Sequence, residues 1–125
     1  MIVGIGTDIV QIERFEKDNL PQLANRILSR NEYNQFQKLP RSQQSRFCAK
    51  RYAVKEAFAK AVGTGIGAYV HLDEIETAHT DDGAPFILLS GQTKSFFEQK
   101  HPAARIHVSI SDDCSALAFV VIESD

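Results

Sequence analysis

Glu56 is the only acid between Lys38 and Lys60, where the basic residues are Lys38, Arg41, Arg46, Lys50, Arg51, Lys55 and Lys60. A lone carboxylate in so positive a segment is placed to hold a divalent cation while the basic groups hold anionic oxygens. Phosphoryl transfer needs that combination. Lys60 follows Glu56 by four residues, so on a helix the two stand side by side, one turn apart. Taken alone, the pair also fits a solvated helical ion pair worth about 0.3–0.5 kcal/mol. A second carboxylate, Asp8, closes a run in which Gly4 and Gly6 alternate with Val3, Ile5, Thr7 and Ile9. A strand with a glycine face lets a ligand or another element approach its backbone closely. Tight packing beside an exposed aspartate is the plainer reading. Gly4 and Gly6 are no dinucleotide fingerprint, because the third glycine is missing and Asp8 stands where the turn should be. His71, His79 and His101 lack metal-ligand spacing. His107 alternates with Ile106 and Val108 and shares a face with Ser109 and Ser111. No Ser/His/Asp set and no cysteine with a base emerges.

The elements that must position these groups follow from periodicity and punctuation. Ile2 to Val10 predicts a strand. Gln11 to Lys17 is a short helical segment, and Pro21 suits the first turn of a helix running to about Leu28. Asn31 is a candidate cap for the next helix, with Tyr33, Phe36 and Leu39 inward and Pro40 ending it. Arg46 to Gly67 predicts the central helix, entered from Ser42–Ser45 and stopped by Gly63, Gly65 and Gly67. Phe47, Val54 and Phe58 lie on its core face; Ala49, Ala53, Glu56 and Lys60 lie opposite, where the alanines leave room for a ligand. His71–His79 and Pro85–Leu89 form a hairpin across Asp81-Asp82-Gly83. Gly91 to about Lys100 is a helix. Arg105–Ser111 and Ala116–Ile122 form a second hairpin. The fold class is therefore α+β, with strand, helices, hairpin, helix and hairpin in that order and a mainly antiparallel sheet.

At 125 residues and net charge −2, the chain is expected to be one domain spanning 1–125, with nothing global that calls for nucleic acid or an anionic membrane. No apolar run approaches the roughly 20 residues that span a bilayer. The start, MIVGIGTDIV, lacks signal-peptide features. Cys48 and Cys114 have no metal spacing, and two reduced thiols suit a cytoplasmic protein.

Several stretches together resemble one family. They are Gly4-Ile5-Gly6-Thr7-Asp8-Ile9-Val10; Tyr52 followed by Ala53-Val54-Lys55-Glu56-Ala57-Phe58-Ala59-Lys60; Gly63-Thr64-Gly65; Gly83-Ala84-Pro85; and His107-Val108-Ser109-Ile110-Ser111. Their order and spacing from Ile2 to Glu123 are similar to those of small bacterial 4′-phosphopantetheinyl transferases, the holo-[acyl-carrier-protein] synthase type. Tyr52 stands where Phe or Trp is commoner, and Asp112 where many relatives have a second His. The resemblance implies transfer of 4′-phosphopantetheine from coenzyme A to a serine of apo acyl carrier protein, releasing adenosine 3′,5′-bisphosphate, in fatty acid biosynthesis. It implies Mg²⁺ as cofactor on Asp8 and Glu56, Glu56 and Lys60 as catalytic residues, and coenzyme A contacts from Arg51, Lys55, Lys60, Gly63, Gly65, Pro85, His107 and Ser109. It further implies carrier docking on Arg14 and Arg26, with Arg30 extending the patch, and a homotrimer whose sites lie between subunits. The apolar run Ala116–Ile122 has more apolar positions than one buried face needs, which a symmetric partner or the same subunit would cover. Two alternatives stay open at this level: a non-catalytic module that binds coenzyme A or another phosphate, and a transferase serving a secondary-metabolite carrier.

Overall fold

A computed structural model describes residues 1–125. Its organising element is a 22-residue helix, α3 (Arg41–Val62), laid across one face of an antiparallel sheet. The sheet has three strands, β1 (Ile2–Gln11), β5 (Ser115–Glu123) and β4 (Arg105–Asp112), ordered β1-β5-β4. A separate hairpin is made by β2 (Ile75–His79) and β3 (Pro85–Leu89). Short 3-10 turns cover Ile12–Phe15 and Leu72–Glu74. The remaining helices are α1 (Leu20–Ile27), α2 (Arg30–Lys38) and α4 (Gly91–Lys100). The α+β architecture and both hairpins match expectation.

The approach of α3 to β1 is set by the glycines. A Cβ on Gly4 would collide with the Ala61 carbonyl, and one on Gly6 with the Ala57 carbonyl and the Ala61 amide. The glycine face is therefore filled by a helix, not left open to a ligand. Ala49 and Ala53 are also fully buried, so those alanines serve packing and leave no room for a ligand. On β5 the alternation puts Ala116, Ala118, Val120 and Ile122 under α3, each 0 % exposed.

Three boundaries differ from the sequence reading. α3 begins at Arg41, directly after Pro40, and takes in the polar run Ser42–Ser45. Its other end is as expected: Gly63 adopts φ 100°, the left-handed conformation that closes a helix. α2 is capped by Ser29, not Asn31: Ser29 Oγ accepts from the Glu32 amide while Glu32 Oε1 accepts from the Ser29 amide. His71–Glu74 is not strand, because the chain makes a 3-10 turn there and β2 starts at Ile75.

Candidate active site

Asp8 and the C-terminal half of α3 meet at the free edge of the sheet. Asp8 shares the side-chain direction of Gly4 and Gly6, so the packing that fixes α3 on β1 also fixes its carboxylate beside the helix. Lys60 Nζ donates to the Thr7 carbonyl at 3.0 Å and to Asp8 Oδ1 at 3.2 Å. Lys60 thus pairs with Asp8 across the contact, and the helical ion pair with Glu56 does not form. Its side chain is 53 % exposed, free to leave Asp8 for an incoming anion.

The Tyr52 phenol feels the charges of both Glu56 and Asp8. Burial pushes the Tyr52 hydroxyl above its usual pKa first, then the Glu56 carboxylate one turn on, and more weakly Asp8; Arg14 acts in the opposite sense. Tyr52 also packs on Phe15, ring centroids 5.7 Å apart, which ties the Ile12–Phe15 turn to this site. Exposed Arg14 sits on that turn. Arg26 and Arg30 are exposed on α1 and at the start of α2.

No group of three or more His, Cys, Asp or Glu side chains gathers anywhere in the chain. The carboxylates of Asp8 and Glu56 nonetheless suit Mg²⁺, which takes one or two carboxylates and completes its shell with substrate phosphates and water. Beyond α3, Gly63 and Gly65 are in left-handed conformations with φ 100° and 70°, and nothing lies within 4 Å of the place a Gly65 Cβ would occupy. The loop backbone is therefore accessible. Lys100 donates to the Val62 carbonyl at 2.6 Å and completes that corner.

One sequence-expected ligand, Lys55, is not available to coenzyme A, and a second, Arg51, is largely buried. Lys55 is 0 % exposed, and its ammonium donates to Glu32 Oε1 at 2.8 Å, to the Leu72 carbonyl at 2.8 Å and to the Ile75 carbonyl. Three donors with three acceptors leave none for a phosphate. Burial pulls its pKa below the usual lysine range, opposed by the Glu32 charge. Arg51 is also buried, 3.5 Å from Glu32 Oε2 and stacked over the Phe47 ring at 4.3 Å. Glu32 is the residue that sequence reasoning missed. Its carboxylate also accepts from the Thr77 amide at 2.9 Å, so it joins α2, α3 and β2. The Ser29-x-x-Glu32 pattern was the available signal, though it announces a cap and not a buried acid.

His107 and Ser109 are placed apart from Glu56. They lie on β4 in the alternation that points away from α3, and both are exposed. His107 Nε2 is 3.0 Å from Glu123 Oε1. Their side chains leave the sheet on the face opposite to α3, the helix that carries Glu56. Pro85 opens β3 on the separate hairpin.

Comparison with known proteins shows the family and the fold. A model of the 4′-phosphopantetheinyl transferase superfamily matches residues 4–112. The chain is 42% identical over 127 aligned residues to the holo-[acyl-carrier-protein] synthase of Aliivibrio fischeri, covering 98% of each. It is 44% identical to that of Vibrio cholerae, with the same coverage. Among solved structures it is similar to a holo-[acyl-carrier-protein] synthase from Neisseria meningitidis (38% identity, TM-score 0.89, covering 99% of this chain and 100% of that one). It is also similar to one from Bacillus anthracis in complex with CoA (3′,5′-ADP), at 40% identity and TM-score 0.84, covering 100% and 99%.

Proposed function

The chain belongs to the 4′-phosphopantetheinyl transferase superfamily, and we propose that its reacting centre is the edge cleft of Asp8, Glu56 and Lys60. The reaction moves the 4′-phosphopantetheine group from coenzyme A to a serine of apo acyl carrier protein and releases adenosine 3′,5′-bisphosphate. Its place is fatty acid biosynthesis in the cytoplasm; no helix of the chain is long and apolar enough to cross a membrane.

Asp8 and Glu56 would hold Mg²⁺, which when bound neutralises the pyrophosphate and the leaving oxygen. The observation that carries this reading is Lys60, one helical turn after Glu56, poised on Asp8 at 3.2 Å. Lys60 turns from Asp8 to a phosphate oxygen as a flexible point charge. Glu56 accepts the serine proton, directly or through a water. The backbone of Gly63 and Gly65 lies against coenzyme A. Arg14, next to Tyr52 and Phe15, meets the acidic carrier.

A homotrimer completes the cleft. The bare sheet face carries Val3, Ile5, Ile9, Leu117 and Phe119, which are 36–66 % exposed, and a neighbouring copy covers it. That placement supports a shared site, since His107 and Ser109 are exposed on the same bare face that the neighbour would cover, away from the helix that carries their own Glu56. Incubation with coenzyme A, Mg²⁺ and an apo carrier should add about 340 Da to the carrier, the mass of a phosphopantetheine group joined to its serine. Glu56→Gln should lose at least about a hundredfold in kcat while folding normally, because shape is kept and charge is lost. Unchanged turnover would remove Glu56 from the centre.

A further inference from the structure

Lys55 and Glu56 are adjacent in the chain and face different worlds, one sealed in the protein and the other in the cleft. α3 is gripped from two sides. On one side Ala57 and Ala61 rest on Gly6 and Gly4 with no space for a Cβ between them. At about 100° per residue, Lys55 points roughly 160° away from Ala57 around the helix axis. There its ammonium is held by Glu32 Oε1 on α2 at 2.8 Å, by the Leu72 carbonyl at 2.8 Å and by the Ile75 carbonyl at the start of β2. Glu32 is itself fixed, by the Ser29 amide at 3.0 Å and the Thr77 amide at 2.9 Å. Glu56 and Lys60 project between the two grips.

Apolar packing is non-directional and resists rolling of a smooth, alanine-rich helix poorly. Hydrogen bonds to a saturated ammonium are directional. A roll of about 20° would move a carboxylate about 6 Å from the helix axis by about 2 Å. A misplacement of about 1 Å can lower a rate on the order of a hundredfold.

We propose that Lys55, through its buried pair with Glu32, is a positioning residue that stops α3 from rolling on β1 and so holds Glu56 toward Asp8. The inference rests on the reading of Glu56 as a carboxylate of the reacting centre. A buried ion pair is weak as a source of stability, because apolar replacements of both partners are often neutral or better. What this pair supplies is direction. It also ties the catalytic helix to the β2–β3 hairpin, so that Pro85 and Glu56 keep a fixed relation.

The test is the triple variant Glu32→Gln, Lys55→Met, Arg51→Met, which removes the pair together with Arg51, 3.5 Å from Glu32, so that no charge of the cluster is left buried alone. Lys55→Arg is its companion, keeping the charge but replacing the compact ammonium with a planar fork. Folding is read by circular dichroism, coenzyme A affinity by calorimetry, and kcat and KM by carrier mass shift. Both variants should fold and bind coenzyme A within about threefold of the parent, while kcat falls about ten- to a hundredfold. A folded variant with kcat within about twofold of the parent would overturn the proposal. So would failure of both variants to fold, which would make the cluster a folding element alone. If the parent chain transfers no phosphopantetheine, the reaction reading fails instead, and the two failures are distinct.

Discussion

The two faces of the β1-β5-β4 sheet reverse the usual distribution of side-chain size. Under α3 lie Gly4, Gly6, Ala116 and Ala118; on the opposite face stand Ile5, Ile9, Leu117 and Phe119, all more than 40 % exposed. Small residues are inside because helix and strand backbones nearly touch, and that closeness brings Asp8 to α3. Large apolar residues are outside because they serve a partner copy, under the trimeric reading. The packed face brings Asp8 and Lys60 together within one chain. The bare face carries His107 and Ser109, which under the same trimeric reading would face a neighbour.

The packed face should break most severely. Gly6→Val drives a branched side chain into the Ala57 carbonyl and the Ala61 amide, both of them backbone. Overpacking of this kind costs about 3 kcal/mol or more, since backbone cannot yield as a side chain can. Thermal unfolding should show loss of a folded population or a Tm drop on the order of 10 °C. A Gly6→Val protein with parental Tm and turnover would mean that the helix does not need this contact. On the bare face, Ile5→Glu with Phe119→Glu should leave the fold intact, because both side chains point to solvent in one chain. Light scattering should then report monomers where the parent is a trimer, with activity falling along with assembly. A parent that scatters as a monomer at assay concentration would end the trimeric reading.

The contrast between faces marks how far residues speak for themselves. β1, both hairpins and the C-terminal stop of α3 follow from local pattern, since alternation and glycine conformation are local properties. Glu56 and Lys60 were legible as neighbours because helical spacing is local; that Asp8 joins Lys60 came only from the family resemblance, because a contact between a strand and a helix 52 residues apart is not local. Lys55 was misread as a phosphate ligand because burial is not local: its partner Glu32 lies 23 residues earlier, and its other acceptors are carbonyls that carry no residue identity. His107 was correctly placed on a strand, but which face looks at which site depends on the sheet's packing against α3. The first turn of α3 was missed because Ser42–Ser45 reads as polar loop, although Ser45 is buried there.

Mixing sharpens the comparison by setting one face against the other. Glu56→Ala damages the packed-side cluster and His107→Ala the bare side. If the two belong to sites shared between copies, subunit exchange between the two inactive proteins should create some interfaces with both residues intact. Activity should then recover to a fraction of the parent's, measured by carrier mass shift. No recovery, with exchange verified by differential labelling, would place each site within one chain.

The smallest expected effect lies at the rim where the two faces meet. Asp112, at the end of β4, accepts from Arg46 at 2.5 Å and lies 3.5 Å from Lys50, both on α3. The Arg46 hydrogen bond, with Lys50 and the Arg46 charge in support, holds the Asp112 carboxyl below its ordinary pKa against a smaller opposing effect of burial. A carboxyl depressed in the folded state stabilises above its unfolded pKa, about 3.9, and loses that contribution as pH falls through the folded value. Arg46 is half exposed and solvent screens the pair, so the contribution is under about 1 kcal/mol. Asp112→Asn should therefore lower Tm by a few degrees at neutral pH, and less in high salt. The gap from the parent should close as pH is lowered through 3.9 and beyond, because there the parent loses the charge that the variant never had. A gap that persists unchanged at low pH would show that shape, and not the ion pair, is what Asp112 contributes to the junction of α3 with the β4–β5 turn.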